Sequence, residues 1–465
     1  QLITIGKATP TLTVTSSNAV GANQTLQAIV ETNATGGRGG EFTYSIIMGS
    51  GSATVDSNTG FVTSLGAGTV TLVVTSAGDA NYYPVSVSQP IDMLPAIDFS
   101  FVPESGTIGS TVFISGQNLN ASPFNNAVFF GATRATVQSV QGGTTLTVIV
   151  PYGASYQYIS VTNLSTRLTA YSAKPFIVTY AASGLHDFAA KRDFATGSSG
   201  AFAKFALGDL DTDGKIDVVV PNAANNTVTI MRNTSSGVNN YSFSSLTLPV
   251  GAGPRAVLIS DLNGDAQPDL IVANYDDNTI YVYPNNSLLA GSLSFTATPI
   301  VLATNANPYT LAIGDFARDS RPNIVVANYS SGDISVFRNT SSASGLISFA
   351  SKVDIATGVQ PSSIVVGDLN GDNYPDLAVA NSGDNTISIV RNAFIFGAIS
   401  FSIDENLATS GTPDEIAFGD LDGDNKPDLI IAIPSMDNTA VRRNLSGLGM
   451  INFDGEESLN MASSA

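Results

Sequence analysis

The sequence has no cysteine, no tryptophan and a single histidine among its 465 residues. Without cysteine the chain can form neither disulfides nor thiolate metal sites, and it has no cysteine nucleophile. No Ser-His-Asp arrangement is evident around the histidine, His186, so we interpret it as a surface residue rather than a general base. These absences argue against hydrolytic chemistry, and we predict that the chain is not an enzyme.

Charged residues are scarce and unbalanced. They make up 12% of the chain, and 19 basic against 38 acidic residues give a net charge of -19. Nucleic-acid binding requires basic patches, so a nucleic-acid partner is not expected. The sequence has no hydrophobic run that could span a bilayer and no signal peptide, so no membrane insertion of this segment is expected. Because it begins with Gln1, we expect a processed or excised segment of a longer protein.

Turn formers and strand formers are abundant instead. The chain has 43 Gly and 21 Pro, is 43% hydrophobic, and is rich in Thr, Val and Ser. This composition favours an all-β protein with many turns, and the length predicts about three domains. Short alternating strands between turn residues predict two β-sandwiches, a first domain over 1–93 and a second domain over 94–181. The remainder, 185–465, we call the repeat region.

An acidic stretch recurs five times in the repeat region. Its first copy, Asp209-Leu-Asp-Thr-Asp-Gly-Lys-Ile-Asp217, has carboxylates at the first, third, fifth and ninth places. We name the copies loops one to five, and they occupy residues 209–217, 261–269, 315–323, 368–376 and 420–428. A nearly constant period of about 53 residues indicates stacked or radial repeats.

The spacing of oxygen ligands in these loops suits Ca²⁺. A tight turn brings alternate side chains to one concave side, where carboxylate and amide oxygens can coordinate a hard cation. The alternative is an Asx-rich turn that only connects two strands. Four intact copies favour calcium, because turn chemistry does not require ligand types at four alternating places.

Better-known calcium loops do not fit. An EF-hand has a bidentate Glu at place twelve, which here falls on strand residues such as Val220 and Ile431. Dockerin-like loops are helical and closer together, and the calcium-binding β-helix has a nonapeptide period.

Each repeat contains four predicted strands. An aromatic-led strand opens it, a short strand enters the loop, an apolar strand leaves the loop, and a fourth strand ends at an Asn. The leading aromatics are Phe188, Phe243, Phe295, Phe349, Phe401 and Phe453. The terminal asparagines are Asn233, Asn285, Asn339, Asn392 and Asn444. Four strands in a repeat of this length are typical of a propeller blade.

The first two domains resemble known Ig-like families. Residues 53–83, with Ala53-Thr-Val-Asp-Ser-Asn-Thr-Gly-Phe-Val62 and Ala77-Gly-Asp-Ala-Asn-Tyr-Tyr83, look like a bacterial Ig-like domain. Residues 101–119, Val128-Phe-Phe-Gly-Ala-Thr-Arg-Ala135 and Leu146-Thr-Val-Ile-Val-Pro151 are similar to the IPT/TIG Ig-like fold. That resemblance implies a spacer more than an activity.

The repeat type seen in 419–428, Gly-Asp-Leu-Asp-Gly-Asp-Asn-Lys-Pro-Asp, resembles the VCBS/FG-GAP family, which is related to the calcium-loop blades of integrin alpha chains. The resemblance implies a propeller, commonly seven-bladed, with one Ca²⁺ per loop and about four sites here. The implied side-chain ligands are Asp209, Asp211, Asp213, Asp217, Asp261, Asn263, Asp265, Asp269, Asp368, Asn370, Asp372, Asp376, Asp420, Asp422, Asp424 and Asp428. The backbone carbonyls of Lys215, Gln267, Tyr374 and Lys426 would complete the shells.

Two departures from the family pattern stand out. In loop three, Asp315, Asp319 and Asn323 remain, but Ala317 replaces a ligand and Arg318 and Arg321 add positive charge, so we predict a weak or empty site. The count is the second departure: five full repeats are followed by part of a sixth. Either further blades lie on sequence outside this chain, which we favour, or five close by themselves with the C-terminal strand filling a blade.

These features predict an extracellular, secreted or surface-attached bacterial protein, because weak calcium loops stay filled where calcium is millimolar. We expect an adhesin or surface-stalk segment whose Ig-like spacers present a calcium-stabilised propeller. Its partner would be an extracellular protein, a glycan or a neighbouring copy. The alternative is a carbohydrate-binding accessory module of a larger secreted enzyme. Sugar stacking would then fall to Tyr and Phe, with 15 and 23 copies, since Trp is absent.

Overall fold

The computed structural model describes the chain except residues 1–6, 8, 16–18, 22–24, 34–40, 80, 95–96, 155–156, 180–191, 198–203, 237–240, 342–345, 394–398, 425, 448 and 460–465. His186 and the strand predicted to open at Phe188 lie outside the described residues. The described part is built of strands, with three short 3-10 helices at Pro123–Asn125, Ala223–Asn225 and Pro434–Met436. The all-β fold class is confirmed. Among described residues, no helix has the length and apolar character needed to cross a membrane.

The first domain is strand-rich, as the alternation of its side chains predicts. One sheet joins Ala19–Gly21, Val85–Leu94, Gly68–Ser76 and Phe42–Met48 in that order; a second joins Thr25–Gln27, Phe61–Gly66 and Ser52–Val55; Leu12–Val14 pairs with Val30–Thr32. Side chains of one face, including Leu72, Val74 and Ile91, are fully buried. Alternation of period two puts these residues on the inner face.

The second domain forms a single continuous array of eight strands. In spatial order they are Asp98–Val102, Thr111–Gln117, Thr145–Ile149, Thr133–Gln141, Asn126–Phe130, Gln157–Asn163, Leu168–Val178 and Ser105–Gly106. Phe130 and Phe176 meet edge to face in its core, with ring centroids 5.0 Å apart. This pair packs side chains of the fifth and seventh strands of the array against each other.

The repeat region forms five four-stranded antiparallel sheets. Sheet one contains Ala206–Gly208, Asp217–Asn222, Thr227–Asn233 and Phe243–Pro249; sheet two Pro254–Ser260, Asp269–Asn274, Thr279–Tyr283 and Ile300–Ala303; sheet three Pro308–Gly314, Asn323–Asn328, Asp333–Phe337 and Val353–Ala356. Sheet four contains Pro361–Gly367, Asp376–Asn381, Thr386–Asn392 and Phe401–Ala408; sheet five Glu415–Gly419, Asp428–Ile433, Asn438–Arg442 and Glu457–Leu459. The second strands of sheets two, three and four are buried at every residue, because neighbouring sheets cover both faces.

The phase of the repeat differs from the prediction. Each aromatic-led strand is the outermost strand of the preceding sheet, not the first strand of a new one: Phe243 pairs with Asn233 in sheet one. Likewise Phe453 bridges Asn444, and Glu457–Leu459 pairs with sheet five. The partial sixth blade predicted from Phe453 is therefore wrong, since these residues complete the fifth. A chain that turns back after each Asn pairs with the strand it has just left.

The inner strands of the sheets converge at the end away from the loops. Consecutive sheets contact each other through these strands. The ammonium group of Lys204, just before sheet one, lies 2.9 Å from a carboxylate oxygen of Glu415 in sheet five. It also donates hydrogen bonds to Thr310 Oγ1 at 3.3 Å and to the Ser362 carbonyl at 3.4 Å. One side chain thus links sheet one to sheets three, four and five.

The second domain packs directly on the face of the propeller that carries the loops. The backbone N–H of Asp209 donates to the carbonyl of Ala132 at 3.0 Å, and the N–H of Thr169 donates to the carbonyl of Ser320 at 2.8 Å. Ala266 of loop two is buried in an apolar cluster of the second domain. The domain is therefore docked onto loops one to three rather than held away from the propeller.

Loop five lies across a gap from the same domain. A cleft of about 400 Å³ has Glu104 and Lys174 of the second domain on one side and Asp420 and Lys426 of loop five on the other. The second domain therefore contacts loops one to three of the propeller and is separated from loop five by this cleft.

Candidate calcium-binding loops

The backbone turns sharply at the fourth and sixth places of loops one to four and at the fourth place of loop five. These places take positive φ, which costs ordinary residues free energy and suits Gly and Asn. The φ values are 55° and 84° at Thr212 and Gly214, 71° and 67° at Gly264 and Ala266, 47° and 63° at Arg318 and Ser320, 74° and 66° at Gly371 and Asn373, and 80° at Gly423. These turns fold the loop around its first carboxylate.

The first Asp of a loop accepts hydrogen bonds from the backbone that folds around it. In loop one, Asp209 accepts the N–H groups of Asp213 and Gly214, both at 3.0 Å. Asp261 of loop two and Asp368 of loop four each accept three backbone N–H groups, and Asp315 accepts two. The first place therefore organises the loop through these hydrogen bonds.

The ninth place ties the loop to the sheet. Asp217 is fully buried and accepts the N–H of Leu210 at 3.0 Å and that of Asn233 at 2.8 Å. Loops two, four and five repeat both bonds through Asp269, Asp376 and Asp428. In loop three, Asn323 keeps only the bond from the second place, at 3.1 Å. This position was predicted as a ligand, and the structure gives it a supporting role as well.

Four asparagines, at or two residues past the end of the third strands of sheets two to five, join neighbouring sheets, a role that the sequence did not reveal. Asn285 donates from Nδ2 to the carbonyl of Leu210, in loop one of the preceding sheet, at 2.8 Å. The same bond runs from Asn339 to Leu262, from Asn392 to Phe316 and from Asn444 to Leu369, at 2.7 to 3.0 Å. The recurrence of Asn at this point of every repeat was the available signal.

Two loops gather three carboxylates within reach of one ion. Carboxylate oxygens of Asp209, Asp211 and Asp217 in loop one all lie within 4.8 Å of one another, and so do those of Asp420, Asp422 and Asp428 in loop five. Among the described residues, loops two and four have no such trio. Their third place is an Asn whose amide donates to the fifth-place Asp, from Asn263 to Asp265 and from Asn370 to Asp372.

The fifth-place carboxylates accept the backbone N–H of the seventh residue. Lys215 donates to Asp213, Gln267 to Asp265, Tyr374 to Asp372 and Lys426 to Asp424, at 2.8 to 2.9 Å. These bonds hold the seventh residue beside the acidic cluster. The ligand role of its carbonyl stays a prediction.

The buried carboxylates are costly to keep charged without a cation. Burial raises the pKa of Asp209 to about 6 and that of Asp217 to about 7, and the neighbouring carboxylates of the loop add to the effect. Burial likewise raises the pKa of Asp261 and of Asp376 to about 7. Clustered hard oxygens of this kind are the donor set that Ca²⁺ takes, so the residues present fit the ion that the sequence predicts.

Arginines immediately before the linking asparagines reach the same clusters. Arg232 forms an ion pair with Asp211 in loop one, and Arg443 forms one with Asp422 in loop five. The sequence analysis missed these contacts, although an Arg precedes the Asn in four of the five repeats. The guanidinium groups balance part of the negative charge at the third place.

Loop three is arranged around guanidinium groups. Asp319 is buried and pairs with Arg338, with Nη2 3.1 Å from Oδ2. Ala317, at the third place, is buried and offers no side-chain oxygen. Burial lowers the pKa of Arg321 to about 10. A guanidinium cation already faces the fifth-place carboxylate, which favours the weak or empty site that the sequence predicts.

Sequence comparison assigns two regions of the chain. A profile described as FG-GAP-like repeat matches residues 209–272, 261–326, 315–379 and 368–431, and one described as IPT/TIG domain matches residues 99–176. No curated protein matches the chain.

Solved structures with related architecture are distant. They include an auxiliary nutrient binding protein from Bacteroides ovatus, 14% identical, covering 72% of this chain and 95% of that one with a TM-score of 0.27. A Bacteroides ovatus mixed-linkage glucan utilization locus protein, SGBP-B, in complex with a heptasaccharide is 12% identical and covers 98% and 92% with a TM-score of 0.16. At these TM-scores the similarities carry no argument about this chain. The two profile matches identify the regions of the chain: it combines an IPT/TIG domain with an array of FG-GAP-like repeats that contains all five loops.

Proposed function

We propose that this chain is an extracellular, calcium-stabilised binding module of a bacterial surface or secreted protein, and that it acts by adhesion rather than catalysis. The observation that carries the proposal is the placement of five acidic loops on one face of a propeller, with the second domain docked on loops one to three. Calcium in these loops would fix both the turns and the surface on which that domain rests.

The predicted ligands retain their roles in this proposal. Loops one and five bring three carboxylates together and loops two and four supply mixed carboxylate and amide oxygens, so about four ions are proposed. Each bound ion would remove the repulsion among carboxylates that burial makes costly. The clustered aspartates are then ligands and not the acid and base of a hydrolase.

Thermal unfolding tests the proposal. Calcium at about a hundred times its Kd adds about 2.7 kcal/mol to the free energy of unfolding for each independent site. We therefore expect Tm to rise by several degrees when calcium replaces chelator. Magnesium at the same concentration is the control, since it needs a smaller and more rigid octahedral site and is expected to have little effect. Equal Tm values in calcium and in chelator would contradict the proposal.

A further inference from the structure

The face of the propeller opposite the loops carries an aromatic cluster formed by neighbouring sheets. Tyr309, near the start of the inner strand of sheet three, stacks on Tyr329 with ring centroids 4.9 Å apart. Tyr275 of sheet two meets Tyr309 edge to face at 6.3 Å. Each of these tyrosines is partly exposed. We call Tyr275, Tyr309, Tyr329 and Arg255 the tyrosine cluster.

Arg255 lies between the rings. Its guanidinium carbon is 4.2 Å from the centroid of Tyr309 and 5.5 Å from that of Tyr275. Its Nη2 donates to the hydroxyl of Tyr309 at 2.8 Å. Within the described part of the chain it forms no ion pair, whereas Arg232, Arg338 and Arg391 each pair with an aspartate. A positioned guanidinium with donors to spare in an acidic chain suits a carboxylate ligand.

The tyrosine cluster is separated from the docked domain. The inner strand of sheet two begins at Pro254 and ends at Ser260, just before loop two. At about 3.3 Å per residue, the cluster and the loops lie roughly 20 Å apart. The second domain covers the loop side, so it leaves this opposite face for a ligand.

We propose that the tyrosine cluster binds a carboxylated sugar of an extracellular polysaccharide. The guanidinium of Arg255 would take the sugar carboxylate in a two-point contact. The tyrosine rings offer rigid apolar surface at low entropic cost, together with hydroxyl groups. Asn307 lies beside the cluster, with Nδ2 donating to the carbonyl of Tyr275 at 2.9 Å, and Asp276 follows Tyr275 in the chain. Their side-chain oxygens would accept hydrogen bonds from sugar hydroxyls. This inference rests on the proposed binding function and names its ligand class.

Equilibrium titration of the calcium-loaded chain tests the site. The probes are a short oligogalacturonate, a neutral oligogalactose of matched length and an oligoglutamate peptide, followed by calorimetry and tyrosine fluorescence. We expect binding of oligogalacturonate only, and we expect Arg255→Met to weaken it about tenfold or more, as loss of a hydrogen bond to a charged group does. Arg192→Met, at an exposed arginine outside the five sheets, is the control and should leave the affinity for oligogalacturonate unchanged.

Each alternative result overturns the assignment. Absence of oligogalacturonate binding, equal binding by the Arg255→Met variant, or equal binding of the peptide would each exclude a carboxylated-sugar site here. Tm measured in calcium and chelator separates the two proposals. A chain that calcium stabilises but that binds no oligogalacturonate retains the calcium function and loses only this site. A chain that binds oligogalacturonate through Arg255 but is not stabilised by calcium retains this site and loses the calcium function.

Discussion

Loops one and five carry aspartates at the same four places, yet their surroundings differ. In loop one, Asp209 and Asp211 are fully buried, and the N–H of Asp209 is bonded to Ala132 of the second domain. In loop five, Asp420 and Asp422 are exposed, and Asp420 lines the cleft below the second domain. The same ligand pattern therefore gives one site enclosed by a neighbouring domain and one open to solvent. Differences between sites arise from what covers each loop.

Removing paired ligands from the two loops should give the largest contrast. Each variant would lose the ion of its own loop, which costs about 2.7 kcal/mol at a hundred times the Kd. Beyond that loss, we expect Asp209→Ala with Asp213→Ala to lower the free energy of unfolding by about 3 kcal/mol, because buried N–H groups of the loop lose their acceptor. Asp420→Ala with Asp424→Ala should cost about 1 kcal/mol beyond the lost ion and move Tm toward the chelated value for that sheet. Denaturant unfolding in calcium and in chelator measures both.

The control for that contrast changes two exposed acids outside the loops, Glu405→Ala with Glu457→Ala, and should leave stability within about 0.5 kcal/mol of the parent. Equal losses from the loop-one and loop-five variants would show that the second domain makes no difference to its loop.

Adding one methyl group at the fourth place of a loop distinguishes a loop that contacts the second domain from one that does not. Gly264 and Gly423 occupy the fourth place of loops two and five with φ of 71° and 80°. A Cβ on Gly264 would lie 2.6 Å from the carbonyl oxygen of Arg167 in the second domain, whereas one on Gly423 meets nothing within 4 Å. Both Gly→Ala changes carry the cost of positive φ, and only Gly264→Ala forces the domain to shift.

We therefore expect Gly264→Ala to destabilise the chain by about 2 kcal/mol more than Gly423→Ala. Small-angle scattering should show the second domain displaced in the first variant and not in the second. Matching scattering profiles and matching Tm values for the two variants would contradict the docking described here.

The smallest expected effect removes a difference between the loops. Thr212 holds the fourth place of loop one at φ 55°, where loop five has glycine. A β-branched residue is strained there, so Thr212→Gly should raise the free energy of unfolding by about 1 kcal/mol. Thr136→Gly, on an exposed strand position of the second domain, should lower it, and thermal unfolding distinguishes the two signs. A loss of stability in both variants would show that Thr212 is unstrained.

The acidic repeat was sufficient to predict the propeller, because ligand types at alternating places and apolar strands after each loop admit few other structures. The phase of the sheets was not predictable from the period: Phe243 leads a strand under either assignment, and only pairing with Asn233 decides between them. The repeat has the same length whichever strand is taken as its first, so the period alone does not show where one sheet ends and the next begins.

Contacts between the second domain and the propeller could not be predicted from the sequence either. Ala132 and Thr169 use backbone groups to meet the loops, and backbone groups leave no trace in residue type. The tyrosine cluster was hidden for another reason. Tyr275 and Tyr329 follow the second strands of neighbouring sheets, whereas Tyr309 lies in the first strand of sheet three, so only the folded sheets bring the three rings together.

The links between neighbouring sheets all run the same way along the propeller. They are made by the side-chain amides of Asn285, Asn339, Asn392 and Asn444. Each amide donates a hydrogen bond to a backbone carbonyl in the loop of the preceding sheet. A loop that loosens therefore removes a hydrogen-bond acceptor from the following sheet and not from the preceding one. Loss of an ion would therefore spread one way around the propeller.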